Sequence, residues 1–118
     1  QLLKLKDEVY PREDLCDKVK AARQFIVTYY YTNISLDDMA VKACLSKFHF
    51  IRLFKRIYGI TPNQYLISVR LEKAKALLQN GARVTTACFS VGFDSTTTFA
   101  GLFKKIMGKS PYLLNKQF

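Results

Sequence analysis

The sequence predicts an all-α fold of about seven helices, arranged as two helix-turn-helix subdomains joined by one long helix, and three observations carry that expectation. First, the stretch Ser46 to Pro62, SKFHFIRLFKRIYGITP, returns as Ser95 to Pro111, STTTFAGLFKKIMGKSP; a constant offset pairs Phe50 with Phe99, Leu53 with Leu102, Phe54 with Phe103, Ile57 with Ile106, Gly59 with Gly108 and Pro62 with Pro111. Second, apolar residues recur at spacings of three and four through most of the chain. Third, Ser, Gly and Pro fall where such helices should start and stop.

In order along the chain, residues 1–13 read as a linker or the remnant of an upstream domain, because charge alternates there and Pro11 marks a turn. Asp14 then caps a helix to about Tyr30, with Leu15, Val19, Ala22, Ile26 and Tyr29 inward and Asp17, Lys18, Lys20 and Arg23 on the solvent side. Asn33 and Ser35 supply the next turn and cap, and Leu36, Met39, Ala40 and Ala43 make the stripe of a short helix with Asp37 and Asp38 in its first turn. Ser46 caps a helix from Lys47 to about Tyr58, which Gly59 ends. Two short helices joined by so short a turn have the layout of a helix-turn-helix.

Thr61 and Pro62 open the long helix, with Leu66, Val69, Leu71, Ala74, Leu77 and Leu78 giving it apolar contact and Gly81 lying past its end. At 1.5 Å per residue it spans about 26 Å. The second unit follows with Val84, Ala87, Cys88 and Val91, a turn at Gly92 and Phe93, a cap at Asp94 or Ser95, and an inner face of Phe99, Leu102, Phe103 and Ile106. A last helical turn, Tyr112 to about Asn115, should pack back on it. The divisions are therefore 14–60 for the first unit, 61–80 for the linking helix and 81–118 for the second unit.

With 118 residues and 49% hydrophobic content the chain is long enough to bury a moderate core. Its net charge of +10 is concentrated in the repeated part: residues 1–33 carry 6 basic and 5 acidic side chains, residues 34–118 carry 13 and 4. Such a field attracts polyanions. Cys16, Cys44 and Cys88 are far apart and share a single histidine, His49, so no metal or other cofactor is expected; Cys44 and Cys88 read as reduced, buried hydrophobes in a cytoplasmic protein. No apolar run approaches the roughly 20 residues of a membrane span. A catalytic constellation is also missing, since no cluster of carboxylates, Ser/His/Asp set or glycine-rich phosphate loop occurs and a single histidine leaves little for acid-base chemistry, which argues against an enzyme. Nucleic acid and an anionic membrane surface are the polyanions such a charge suits, and a helical module that binds protein or RNA through a basic face is a further reading.

On the first repeated helix, Lys47, Phe48, Ile51, Arg52 and Lys55 remain outside once Phe50, Leu53, Phe54 and Ile57 turn inward. An aromatic and an aliphatic residue beside three cations form a face meant to be covered. On the second, the outer face reads Thr96, Thr97, Ala100, Gly101 and Lys104.

Residues 36–114 resemble the DNA-binding domain of AraC/XylS-type bacterial transcription regulators. The resemblance is carried by R-L-E-x-A-x-x-L-L at Arg70 to Leu78, by V-G-F at Val91 to Phe93, by Phe99, and by F-K-K-x-x-G-x-S-P from Phe103 to Pro111. It implies sequence-specific binding of double-stranded DNA, with two recognition helices in successive major grooves, which recur every ~34 Å. A shortfall in reach implies modest DNA bending, at order 1–6 kcal/mol.

Under that resemblance Arg52 matches the recurring arginine of the first recognition helix, suited to a guanine edge or a phosphate. Phe48 and Ile51 suit thymine methyl groups, His49 lies beside them, and Thr96, Thr97 and Thr98 are the base-contacting candidates of the second unit. Backbone contacts fall to Lys47, Lys55, Arg56, Arg83, Ser95, Lys104 and Lys105, with helix N-termini at Ser35, Ser46 and Asp94 offering N–H groups. Gly101 stands where that family frequently has arginine, which makes the first unit the main reader. In the family a sensing or dimerisation domain often lies upstream, and Gln1 suggests that one is missing here; RNA polymerase is a further expected partner.

Overall fold

Seven helices occupy the residues that the computed structural model describes, 13–115, and no strand occurs among them. They are α1 (Glu13–Tyr29), α2 (Leu36–Lys42), α3 (Lys47–Tyr58), α4 (Pro62–Gln79), α5 (Val84–Ser90), α6 (Thr96–Met107) and α7 (Pro111–Asn115). The stretch 1–12, read above as linker, lies outside the described residues. The helices fall into two units, and the border runs inside α4, between Leu66 and Ile67. The first unit holds α1, α2, α3 and the start of α4; the second holds the rest of α4, α5 to α7, and the short connection 30–33.

In the first unit α2 packs on α1 and α3, and α1 also meets α3. Val19, Ala22 and Ile26 of α1 are fully buried, as are Ala43 and, in α3, Phe50 and Phe54, with Met39, Ala40 and Leu53 nearly so. Local chemistry sets the helix ends. Ser35 and Asp38 form a reciprocal capping box, the Asp38 amide donating to Ser35 Oγ at 3.0 Å and the Ser35 amide to the Asp38 carboxylate at 2.9 Å. The Ser35 backbone amide first, and the Ser35 hydroxyl after it, hold the Asp38 carboxyl below the usual carboxylate range. Ser46 accepts from the His49 amide at 3.3 Å, and Gly59 closes α3 in the left-handed region at φ 82°. Thr61 and Gln64 make a second reciprocal pair at the start of α4, at 2.9 and 3.1 Å.

The second unit repeats this plan. Leu71, Ala74 and Leu78 of α4, Val84, Ala87, Cys88 and Val91, and Phe93, Phe99 and Phe103 form one buried cluster, with Tyr30, Leu102, Met107 and Leu114 against its edge. Ser95 caps α6 and Gly108 ends it with the same dihedral angles as Gly59, φ 82° and ψ −8°. The connection 30–33 is held by Arg70, whose Nε donates to the Tyr30 carbonyl at 2.8 Å and whose Nη2 donates to that of Thr32 at 2.9 Å. The guanidinium also lies 5.6 Å from the centroid of the Phe93 ring. Burial pushes its pKa down, partly offset by Asp94.

Several expectations are corrected. The first helix begins at Glu13, so Asp14 lies inside it rather than capping it. Tyr29 is 45% exposed because it is the last residue of α1; its ring rests on Phe25, 5.2 Å away between centroids. Arg23 is half-buried, not solvated: it donates to the Tyr65 hydroxyl at 3.5 Å and lies over Tyr58. Cys44 is exposed, because the turn leaving α2 needs a left-handed residue and Cys44 adopts it at φ 57°, as Gly92 does in the second unit at φ 106°. Cys88 is buried as expected, and burial pushes its thiol up. Leu77 is exposed because its neighbour Leu78 takes the buried position. Ile106 is 51% exposed, since Met107 and Leu114 close that end of the cluster instead. Of the two cap candidates for α6, Ser95 takes the position, as expected, and Asp94 does not.

Truncating Phe54→Ala or Phe103→Ala should cost about 3–5 kcal/mol as fully buried aromatics, read as a lower midpoint in urea unfolding. Two glycines should respond oppositely to alanine. A Cβ at Gly92 would stand 2.8 Å from the Tyr30 carbonyl oxygen and 2.9 Å from Arg70 Nε, so Gly92→Ala should destabilise by more than ~1 kcal/mol. At Gly101 a Cβ meets nothing within 4 Å, so Gly101→Ala should stabilise by about 1 kcal/mol.

Candidate nucleic-acid interface

The buried faces of α3 and α6 determine what each helix can present. With Phe50, Leu53 and Phe54 facing the core, the opposite stripe of α3 is Phe48, Ile51, Arg52 and Lys55, at helical spacings of three and four. Phe48 is 74% exposed. Arg52, Lys55 and Arg56 are exposed, while Ile51 and His49 are half-buried, so the expectation of an exposed Ile51 is only partly met. Ile51 is the floor of the stripe rather than its crest. Lys47 begins the helix, its Nζ 3.7 Å from the Asp37 carboxylate and 6.0 Å from the centroid of the Phe48 ring.

The corresponding stripe of α6 is Thr97, Ala100, Gly101 and Lys104. Thr97, Thr98, Gly101 and Lys104 are exposed, whereas Thr96 and Ala100 are half-buried. Lys105 is exposed on the flank, in the place that Arg56 takes on α3. Ser95 spends its hydroxyl on the Thr98 amide at 3.3 Å, so the side chain is engaged in capping. Arg83 is exposed at the N-cap of α5 and makes no capping hydrogen bond with its side chain, unlike Ser35 at the matching place of the first unit.

The candidates thus gather by unit. Lys47, Phe48, His49, Ile51, Arg52, Lys55 and Arg56 share α3, and Ser95, Thr96, Thr97, Thr98, Lys104 and Lys105 share α6 or its cap, with Arg83 at the start of α5. The two faces differ in chemistry. The α3 face combines a guanidinium, ammonium groups and a projecting aromatic ring; the α6 face is smooth, with hydroxyls and one central lysine. Sequence reasoning missed the part of Asp37, which lies on α2 and reaches Lys47 across the turn; its only signal was a second aspartate where one suffices for the cap. Among the described residues no group of three or more His, Cys, Asp or Glu could hold a metal ion, and no helix is long and apolar enough to cross a membrane.

Comparison with known proteins bears on this arrangement. A family model described as "Helix-turn-helix domain" matches residues 39–117. A transcriptional regulator of Bacillus subtilis, YbfI, is 38% identical over 78 residues, covering 66% of this chain and 28% of the relative. The chain spans about a third of the length of the curated relatives it matches. Among solved structures, the C-terminal domain of the response regulator AraT from Geobacillus stearothermophilus superposes with a TM-score of 0.79 at 29% identity, covering 86% of this chain and 85% of that one. A probable AraC family transcriptional regulator from Rhodopseudomonas palustris gives 0.78 at 25% identity, covering 86% and 96%. Fold, repeated motifs and family match agree, and the chain belongs to the AraC-type helix-turn-helix family of transcription regulators.

Proposed function

We propose that this chain binds double-stranded DNA sequence-specifically, with α3 and α6 as recognition helices in successive major grooves and α3 as the main reader. The observation that carries the reading is the α3 stripe, where an exposed arginine and an exposed phenylalanine project side by side from a helix that a buried Phe pair holds in place. Arg52 suits a guanine edge, Phe48 and Ile51 suit thymine methyls, and His49 lies at the margin of the same face. Thr96, Thr97 and Thr98 serve the second groove with hydroxyl and methyl groups. Lys47, Lys55, Arg56, Arg83, Lys104 and Lys105 neutralise phosphates and set the register of the domain on the duplex.

The smooth α6 face supports a division of labour. With Gly101 opposite the bases, the second unit has no long fork to read a guanine, and it contributes position and methyl contacts instead. The whole protein, on this reading, is a bacterial cytoplasmic transcription regulator in which a sensing or dimerisation domain accompanies this one and RNA polymerase is a further partner. Binding, not catalysis, is its task.

Duplex binding followed by fluorescence anisotropy across a salt series tests the reading. Affinity should fall with a log–log slope near −0.9 per phosphate neutralised. A flat salt response, or equal affinity for double-stranded RNA, would instead favour a general helical interaction module. On a selected site Arg52→Ala should cost ~1–3 kcal/mol and relax preference at one base position; a uniform loss over all sequences reassigns Arg52 to a phosphate.

A further inference from the structure

We infer that Asp37 is an intramolecular competitor for a DNA-contacting lysine and so limits the affinity of the first recognition helix. The inference rests on the DNA reading above and adds a residue to it. Two adjacent aspartates open α2, and they have different occupations. Asp38 is committed to the cap, its carboxylate accepting from the Ser35 amide and its own amide donating to Ser35 Oγ. Asp37 takes no part in that box; its carboxylate stands 3.7 Å from Lys47 Nζ, with the two side chains 75% and 44% exposed.

Lys47 is the first residue of α3, and its ammonium also lies over the edge of the reading face, 6.0 Å from the Phe48 ring centroid. One cation is therefore held between a carboxylate and the most exposed aromatic ring of that helix. A phosphate oxygen and a carboxylate oxygen ask the same thing of an ammonium group, and reaching a phosphate from this position means leaving Asp37. An exposed pair of this kind is weak, so DNA still prevails, but each binding event forfeits the pair. In the second unit the matching positions are Thr85 and Thr96, and no such competitor exists there. The attenuation belongs to the helix that carries the larger share of the reading charge.

A double-mutant cycle tests this. Binding of the full chain to a mixed-sequence duplex of about 30 base pairs, long enough for two successive grooves, is measured by anisotropy at one salt concentration. The four proteins are wild type, Asp37→Asn, Lys47→Gln and the double variant; their thermal midpoints establish that all are folded. Asp37→Asn should tighten binding about twofold to fivefold, and the gain should vanish in the Lys47→Gln background. An equal gain in both backgrounds makes the carboxylate a general repeller of DNA and overturns the proposal, as does no gain in either. If the wild-type chain fails to bind duplex at all, the DNA reading falls and takes this inference with it; if it binds and the cycle closes without coupling, only this inference falls.

Discussion

Two phenylalanines one helical turn apart fix each recognition helix about its own axis. Phe50 and Phe54 in α3, and Phe99 and Phe103 in α6, are completely buried, with ring centroids 5.7 and 5.6 Å apart. A helix anchored at positions i and i+4 cannot roll without exposing one ring, and burying such a ring is worth about 1.5–3 kcal/mol. The opposite face is thereby determined. Whatever stands two residues before or after the first Phe is held outward and the residue just after it falls on the flank, which is why Phe48 and Arg52 are exposed and Ile51 is half-buried between core and stripe. Rigid anchoring of this sort is what precise recognition asks of a scaffold.

The same constraint explains how two copies of one unit came to differ. Their inner residues and serine caps are shared, and the left-handed glycine ends agree down to the dihedral angles, whereas the outer faces exchange Phe, Ile and Arg for Thr, Ala and Gly. Packing tolerates little change inside, and nothing inside restrains the surface. Differences nonetheless occur at the junctions. The first unit caps α2 with a serine box and pairs Asp37 to Lys47; the second begins α5 at Arg83 with no side-chain cap and instead sets a half-buried arginine, Arg70, against two carbonyls and Phe93.

Much of this was legible in the sequence, because the signals were local. Helix ends follow from Ser35, Ser46, Thr61, Gly59 and Gly108, whose chemistry acts within four residues, and the buried stripes follow from periodicity. The misreadings involve partners that only folding supplies or backbone geometry that the period does not show. Arg23 lies on the polar side of α1, and only folding brings Tyr65 and Tyr58 to it. Cys44 looks like core until its backbone turns left-handed. Ile106 fits the period of α6, yet Met107 and Leu114 close the cluster in its place. For the interface, composition and period gave the members of each face; the reach of Asp37 to Lys47 and the half-burial of Ile51 required three dimensions.

Arg70 and Gly92 have a bearing on how the chain is made. Residues 30–33 belong to the second unit although they lie between α1 and α2 of the first. As the chain leaves the ribosome, this connection emerges before the arginine that holds its carbonyls, which follows about forty residues later, and before the glycine that makes room for it. Helices α1 to α3 are complete by Tyr58, so they can associate while that connection still waits for its partners. The order of assembly is therefore interleaved: the connection between α1 and α2 waits for residues that follow the whole first unit.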